Sequence, residues 1–208
     1  MATSYTIETR FHGRFLREDR GGERFLAGFH GYAETADVHL AELHKIVGIS
    51  DWSLVAIQAL NRFYTRDEKI VANWMTSQDR ELAIADNISY VRAVIDTLPQ
   101  PRTLVFLGFS QGAAMAARAA VAIPCDGLII LGGDIPPDVK AAEGTLPPVL
   151  LARGVRDDWY SDGKFKDDLR FLEGRTRVTS LVFDGGHEWS DAFREAASVF
   201  LRTMNDEL

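Results

Sequence analysis

An almost wholly apolar run, Thr103-Leu104-Val105-Phe106-Leu107, passes through Gly108-Phe109-Ser110-Gln111-Gly112 into Ala113-Ala114-Met115-Ala116-Ala117-Arg118-Ala119-Ala120. The first run has the pattern of a strand buried on both faces. The last is the strongest helix former in the chain. A strand buried on both faces belongs to a parallel sheet, and parallel neighbours must be joined by a crossover, usually a helix. This junction alone therefore points to repeated strand–helix–strand units.

The rest of the chain keeps that alternation. Arg24 to Phe29 reads as a strand and Thr35 to Val47 as a helix, with Val38, Leu40, Leu43, Ile46 and Val47 along one stripe. Ser53 to Ile57 is a strand, and Gln78 to Leu98 a long helix stopped by Pro99. After the Thr103 strand and its helix come strands at Gly127 to Leu131, Pro148 to Ala152 and Arg177 to Phe183. Helices follow the last two, at Lys164 to Leu172 and about Ser190 to Met204. At the start, Tyr5 to Arg10 and Arg14 to Arg17 flank His12-Gly13 and predict an opening hairpin over about residues 4–18. The expected fold class is α/β, a mostly parallel sheet with helices on both faces. Ligands in such sheets bind beyond the carboxyl ends of the strands.

The 208 residues suit one sizeable core, and no repeat or linker marks a boundary, so a single domain over 1–208 is expected. The net charge of −7 argues against a nucleic-acid partner. The densest basic group, Arg14, Arg17, Arg20 and Arg24, is interleaved with Glu18, Asp19 and Glu23 as on a solvated surface. One cysteine, Cys125, excludes an internal disulfide and fits a reducing, cytoplasmic setting; its place beside an apolar run predicts a buried, inert thiol. The N-terminus lacks a signal pattern, and no stretch approaches membrane-spanning length. The oligomeric state is left open, a homodimer included.

Gly-x-Ser-x-Gly between a strand and a helix describes a nucleophile elbow, a turn so sharp that its serine backbone is strained. The flanking glycines are expected because a Cβ there would collide with the facing strand or helix. Ser110 would then stand at a helix N-terminus, where positive partial charge favours a developing oxyanion. A serine hydroxyl needs a base, and the base an orienting carboxylate, in the chain order Ser, Asp or Glu, His. Only His187 follows Ser110, in the flexible loop Asp184-Gly185-Gly186-His187-Glu188-Trp189. The acid must follow a strand between the two. Asp157 and Asp158 do so after Leu150-Leu151-Ala152, and spacing does not choose between them. Asp134, Asp138 and Asp184 are weaker candidates.

An oxyanion hole needs two backbone amides. Gln111, directly after the serine, supplies one, and Tyr32 in the loop Phe29-His30-Gly31-Tyr32-Ala33-Glu34 is the expected second donor. His30 and Glu34 resemble metal ligands, but no second histidine stands at ligand spacing, so neither metal nor cofactor is expected. Tyr32, Phe63, Trp74, Met75, Trp159 and Trp189 lie near strand ends, and Trp74, Trp159 and Trp189 are the candidate pocket walls.

With these pieces assembled, the chain resembles the α/β-hydrolase superfamily, and within it the phospholipase/carboxylesterase group that includes acyl-protein thioesterases. The likeness rests on Phe29-His30-Gly31-Tyr32, Gly108-Phe109-Ser110-Gln111-Gly112, Gly154-Val155-Arg156-Asp157 and Gly185-Gly186-His187, with Leu131-Gly132-Gly133-Asp134-Ile135-Pro136 in support. It runs from about residue 24 to 204. The family's Gly-x-x-Asp falls on Asp157, so the resemblance implies a Ser110–His187–Asp157 triad. It also implies a compact α/β-hydrolase fold and a serine esterase acting on a small-molecule ester or thioester. A thioesterase, a lysophospholipase, or from another class a non-catalytic binding protein of this fold are the alternatives. Loss of a triad or oxyanion element would mark the last, and none is missing. The family has His-Gly where this chain has Arg153-Gly154, and Val-Pro where it has Tyr160-Ser161, so the wall beside the acid is expected to differ. No insertion between Leu131 and Pro147 is long enough for a large lid domain, which predicts an open site for short or exposed acyl groups.

Overall fold

The computed structural model describes residues 2–204. A seven-stranded sheet runs through its centre. Its members are β1 (Arg14–Glu18), β2 (Arg24–Phe29), β3 (Trp52–Gln58), β6 (Thr103–Phe109), β7 (Gly127–Leu131), β8 (Val149–Gly154) and β9 (Val178–Phe183), in the order β1-β3-β2-β6-β7-β8-β9. Only β1 is antiparallel to its neighbour. A separate hairpin pairs β4 (Asn61–Tyr64) with β5 (Ile70–Asn73).

Alternation along the strands divides the core into two layers. Phe25, Ala27, Phe29 and Phe106 face one side, where α2 (Arg80–Ile95), α3 (Gln111–Ala122), the short α4 (Pro137–Ala141) and α5 (Asp162–Glu173) contribute Val91, Met115, Val139 and Phe165. Leu26, Val105, Leu107 and Ile129 face the other, against Leu43 of α1 (Ala36–Leu43) and Phe193, Ala197 and Leu201 of α6 (Asp191–Thr203). Helices thus cover both faces, as the buried strand runs require. The chain winds outward from β2 to β3, then returns to the far side of β2 with β6. That reversal leaves a crevice beyond the ends of β2 and β6, the position where open α/β sheets bind ligands.

The opening hairpin does not form. Residues 2–13 adopt no strand, with Tyr5 88% and Ile7 91% exposed, and β1 pairs instead with β3, from Arg14 against Gln58 to Glu18 against Leu54. A two-stranded hairpin is marginal by itself, whereas the edge of β3 offers a full ladder on a packed sheet. Gly13 serves a crossing rather than a turn: a Cβ there would lie 2.0 Å from the Tyr90 ring, whose hydroxyl donates to the Arg14 carbonyl at 2.6 Å. The β4–β5 hairpin and α4 were not legible from the pattern, and α1 stops at Leu43, short of Val47.

Beneath the crevice His39 is buried against Gly28, and neither of its ring nitrogens finds a hydrogen-bond partner among the described residues. Burial, reinforced by nearby His30, lowers it from 6.5 to about 3. The folded protein thus holds this ring neutral while the unfolded chain protonates it near 6.5. The stability involved is present above that pH and is lost as pH falls toward 3. His30, lowered to about 4 by burial, acts in the same direction. Denaturant unfolding should show about 2 kcal/mol lost through His39 alone between pH 7 and 5. His39→Leu should flatten that slope; an unchanged slope would contradict it.

Candidate active site

β6 ends at Phe109, and Ser110 turns the chain into α3 at φ 55°, ψ −121°. A non-glycine residue at positive φ is costly and is held there by its surroundings. The glycines on either side are steric necessities. A Cβ on Gly108 would lie 2.3 Å from the Gly112 carbonyl oxygen, and one on Gly112 would lie 2.0 Å from that of Phe29. The elbow therefore packs backbone to backbone against β2, the strand that carries the Tyr32 loop.

His187 follows β9 and Asp157 follows β8, so the three groups rise from three strand ends. The Nδ1 of His187 lies 2.8 Å from Asp157 Oδ2, and its Nε2 lies 2.8 Å from Ser110 Oγ. A carboxylate can only accept, so Nδ1 carries the proton and Nε2 offers a lone pair to the serine hydroxyl. Asp157 is 4% exposed, and its Oδ1 accepts from the amides of Trp159 and Tyr160, both at 2.9 Å. The carboxylate is thus held by three donors in one orientation. The His187 ring also packs on Phe109, centroids 5.0 Å apart.

The other acidic candidates stand elsewhere. Asp158 is exposed, Asp138 accepts two hydrogen bonds from Arg118, and Asp184 pairs with Arg156. Asp134 is exposed at the rim of the cavity described below.

The Tyr32 loop is fixed from several sides. Glu34 accepts from the Gly31 amide at 2.7 Å, and burial pushes its carboxyl up. Ala33 donates to the Ala72 carbonyl, and Ala72 donates back to Glu34, at 3.0 and 2.9 Å. His30 is fully buried: its Nδ1 lies 2.7 Å from the Gly31 carbonyl, and its Nε2 accepts from the Ala59 amide at 3.0 Å. Both its nitrogens are spent on backbone, which makes His30 a brace for the loop. The amides of Tyr32 and Gln111 have no protein acceptor among the described residues. The Gln111 side chain, which sequence reasoning passed over, accepts from the Trp74 amide at 2.8 Å and donates to the Met75 carbonyl at 3.0 Å.

The three tryptophans expected to wall the pocket stand in three different surroundings. Trp74 is 0% exposed; its ring packs on Phe29 and His30, and its indole N–H donates to the His30 carbonyl at 2.8 Å. It belongs to the core, because the strand end it follows is itself covered by the Tyr32 loop. Trp189 packs among Phe109, His39 and Phe193 on the opposite side of the sheet. Trp159, 77% exposed, borders the cavity beside Ser110. That cavity has a volume of about 240 Å³ and is also lined by Met75, Arg80, Asp134 and Lys164. Neither cation belongs to a motif in the sequence. Arg153, at the end of β8 before the Asp157 turn, is buried and donates to the Val155 and Asp157 carbonyls at 3.3 and 3.4 Å.

Among the described residues, no three His, Cys, Asp or Glu side chains are grouped to hold a metal ion. The Cys125 thiol is half-buried and pushed up to about 12, chiefly by burial. Among the described residues no helix is long and apolar enough to cross a membrane.

No protein-family model matches the chain, and no curated protein matches its sequence. Solved structures do match its fold. Acyl-protein thioesterase 2 of Zea mays superposes with a TM-score of 0.74 at 16% identity, over 92% of this chain and 99% of that one. A Bacillus cereus carboxylesterase gives 0.73 at 18% identity, over 92% and 94%. A phospholipase/carboxylesterase from Dyadobacter fermentans gives 0.71 at 18%, over 94% and 99%. The fold is that of the compact α/β-hydrolases, the class whose solved members include carboxylesterases and acyl-protein thioesterases.

Proposed function

We propose that the protein is a serine hydrolase cleaving carboxylic esters through an acyl-enzyme intermediate. The observation that carries this reading is the continuous hydrogen-bond chain from Asp157 through His187 to Ser110, ending on a strained serine at a helix N-terminus. Ser110 Oγ attacks the carbonyl carbon as its proton passes to His187 Nε2. Asp157 holds the ring in the tautomer that can take that proton. The amides of Tyr32 and Gln111 donate to the tetrahedral oxygen. His187 then protonates the leaving alcohol, and water, activated by the same ring, releases the acid. Neither metal nor cofactor enters the scheme. The fold neighbours, a thioesterase and a carboxylesterase, support the same class and make a thioester the alternative substrate. The single cysteine favours a cytoplasmic setting.

The cavity of about 240 Å³ falls below the roughly 300–1,000 Å³ usual for drug-sized ligands, and it is bordered by charged residues. Short acyl groups are therefore the preferred substrates. Across p-nitrophenyl esters of rising chain length, kcat/KM should stop rising after a few carbons. An enclosed channel would instead add about 0.8 kcal/mol for each buried CH₂. A steady climb from C4 to C12 would contradict the small-ester reading, and faster turnover of matched acyl thioesters would favour the thioesterase. Labelling by a fluorophosphonate tests the class itself. No labelling and no turnover would overturn it in favour of a binding protein of this fold.

A further inference from the structure

Two cations border the cavity beside Ser110 without a carboxylate partner of their own. Arg80 makes no ion pair or hydrogen bond among the described residues; its field reaches Asp138, but that carboxylate is held by two bonds from Arg118. Lys164 donates only to the Trp159 carbonyl, at 3.4 Å. Neither placement is explained by its helix. Arg80 is the first residue of α2 and Lys164 the third of α5, where the positive end of the helix dipole disfavours a cation. The starts of two helices thus bring one unpaired positive charge each to the same cavity.

Resting on the serine-hydrolase reading, we propose that the substrate is an ester bearing a carboxylate a few atoms from the scissile carbonyl, bound by Arg80 and Lys164. The charge count favours a single negative charge. Arg80 and Lys164 contribute two positive charges, and Asp134, the one carboxylate lining the cavity, leaves a net charge of +1. A doubly charged phosphate would exceed that. The protein as a whole carries −7, so an anionic substrate is repelled at long range and must be captured locally. Arg80 offers a planar fork that matches a carboxylate with two parallel hydrogen bonds, and Lys164 a movable point charge. Both are exposed, so each can reach the ligand without prior rearrangement of the core.

The test compares p-nitrophenyl hemisuccinate with p-nitrophenyl pentanoate, a neutral acyl group of similar length. A second arm compares the butyrate ester of glycolic acid with ethyl butyrate, followed by pH-stat, and places the anion on the alcohol side instead. In the wild type the anionic-to-neutral ratio of kcat/KM should be about tenfold or more in one arm, the scale of one charge-assisted hydrogen bond. The arm that shows it assigns the carboxylate to the acyl or the alcohol half. That ratio should fall about tenfold in Arg80→Gln and in Lys164→Gln, rise in Asp134→Asn, and shrink in 0.5 M salt. A ratio near or below one in both arms, or one unchanged by both cation substitutions, overturns the proposal while leaving the serine-hydrolase reading intact. Absence of turnover and of fluorophosphonate labelling would remove both.

Discussion

Ser110→Ala is expected to abolish ester hydrolysis and fluorophosphonate labelling together, while the thermal transition stays where it was or moves up. The Ser110 side chain makes one hydrogen bond, to His187, and contributes nothing to either core layer. The strained turn at φ 55° is imposed by the backbone of Gly108, Gly112 and Phe29, so it survives the loss of the hydroxyl. Loss of a triad nucleophile in a comparable site lowers kcat by roughly 10⁶-fold, leaving what the oxyanion donors and binding can do alone. Mass spectrometry of the labelled protein checks the assignment directly. Labelling retained on another serine would overturn it.

The second large effect separates two adjacent aspartates. Asp157→Asn should lower kcat by roughly 10⁴-fold, and Asp158→Asn by no more than a small factor. The amides of Trp159 and Tyr160 donate to Oδ1 of Asp157, so an asparagine would keep its carbonyl oxygen there and turn its NH₂ toward His187. Nδ1 would then have to accept, Nε2 would carry the proton, and the ring could no longer take one from Ser110. Asp158 is exposed and touches none of these groups. Circular dichroism should show both variants folded. A crippled Asp158→Asn beside an active Asp157→Asn would show that the wrong neighbour was assigned.

The strand–helix alternation was readable because the strands are buried. Phe25 to Phe29, entered by Arg24, and Gly127 to Leu131 are continuous uncharged runs, and the structure forms β2 over Arg24–Phe29 and β7 over Gly127–Leu131. The elbow was readable for a related reason, since its spacing is dictated by backbone contact. What stayed hidden depends on which segments meet. Tyr5 to Arg10 alternates like a strand, yet strand pairing is a non-local bargain, and the edge of β3 took β1 alone. Asn61 to Tyr64 is mostly exposed, so the β4–β5 hairpin carries little hydrophobic pattern of its own. Trp74 has the same composition signal as Trp159; its depth is decided by Phe29 and His30, distant in sequence. Arg80 and Lys164 begin two helices that can be located from the sequence, but nothing in either helix tells that the two starts share a cavity.

The exchange of hydrogen bonds between Ala33, Glu34 and Ala72 makes the Tyr32 loop, in effect, a third rung on the β4–β5 hairpin. A proposed oxyanion donor is thereby mounted on an element outside the main sheet, anchored at the Ala72 end and free at the Thr65 to Lys69 tip. The tip can diverge, lengthen or accept a grafted segment while the anchored end keeps the amide in place. One short hairpin thus has an end that holds the Tyr32 loop and an end that is left to vary.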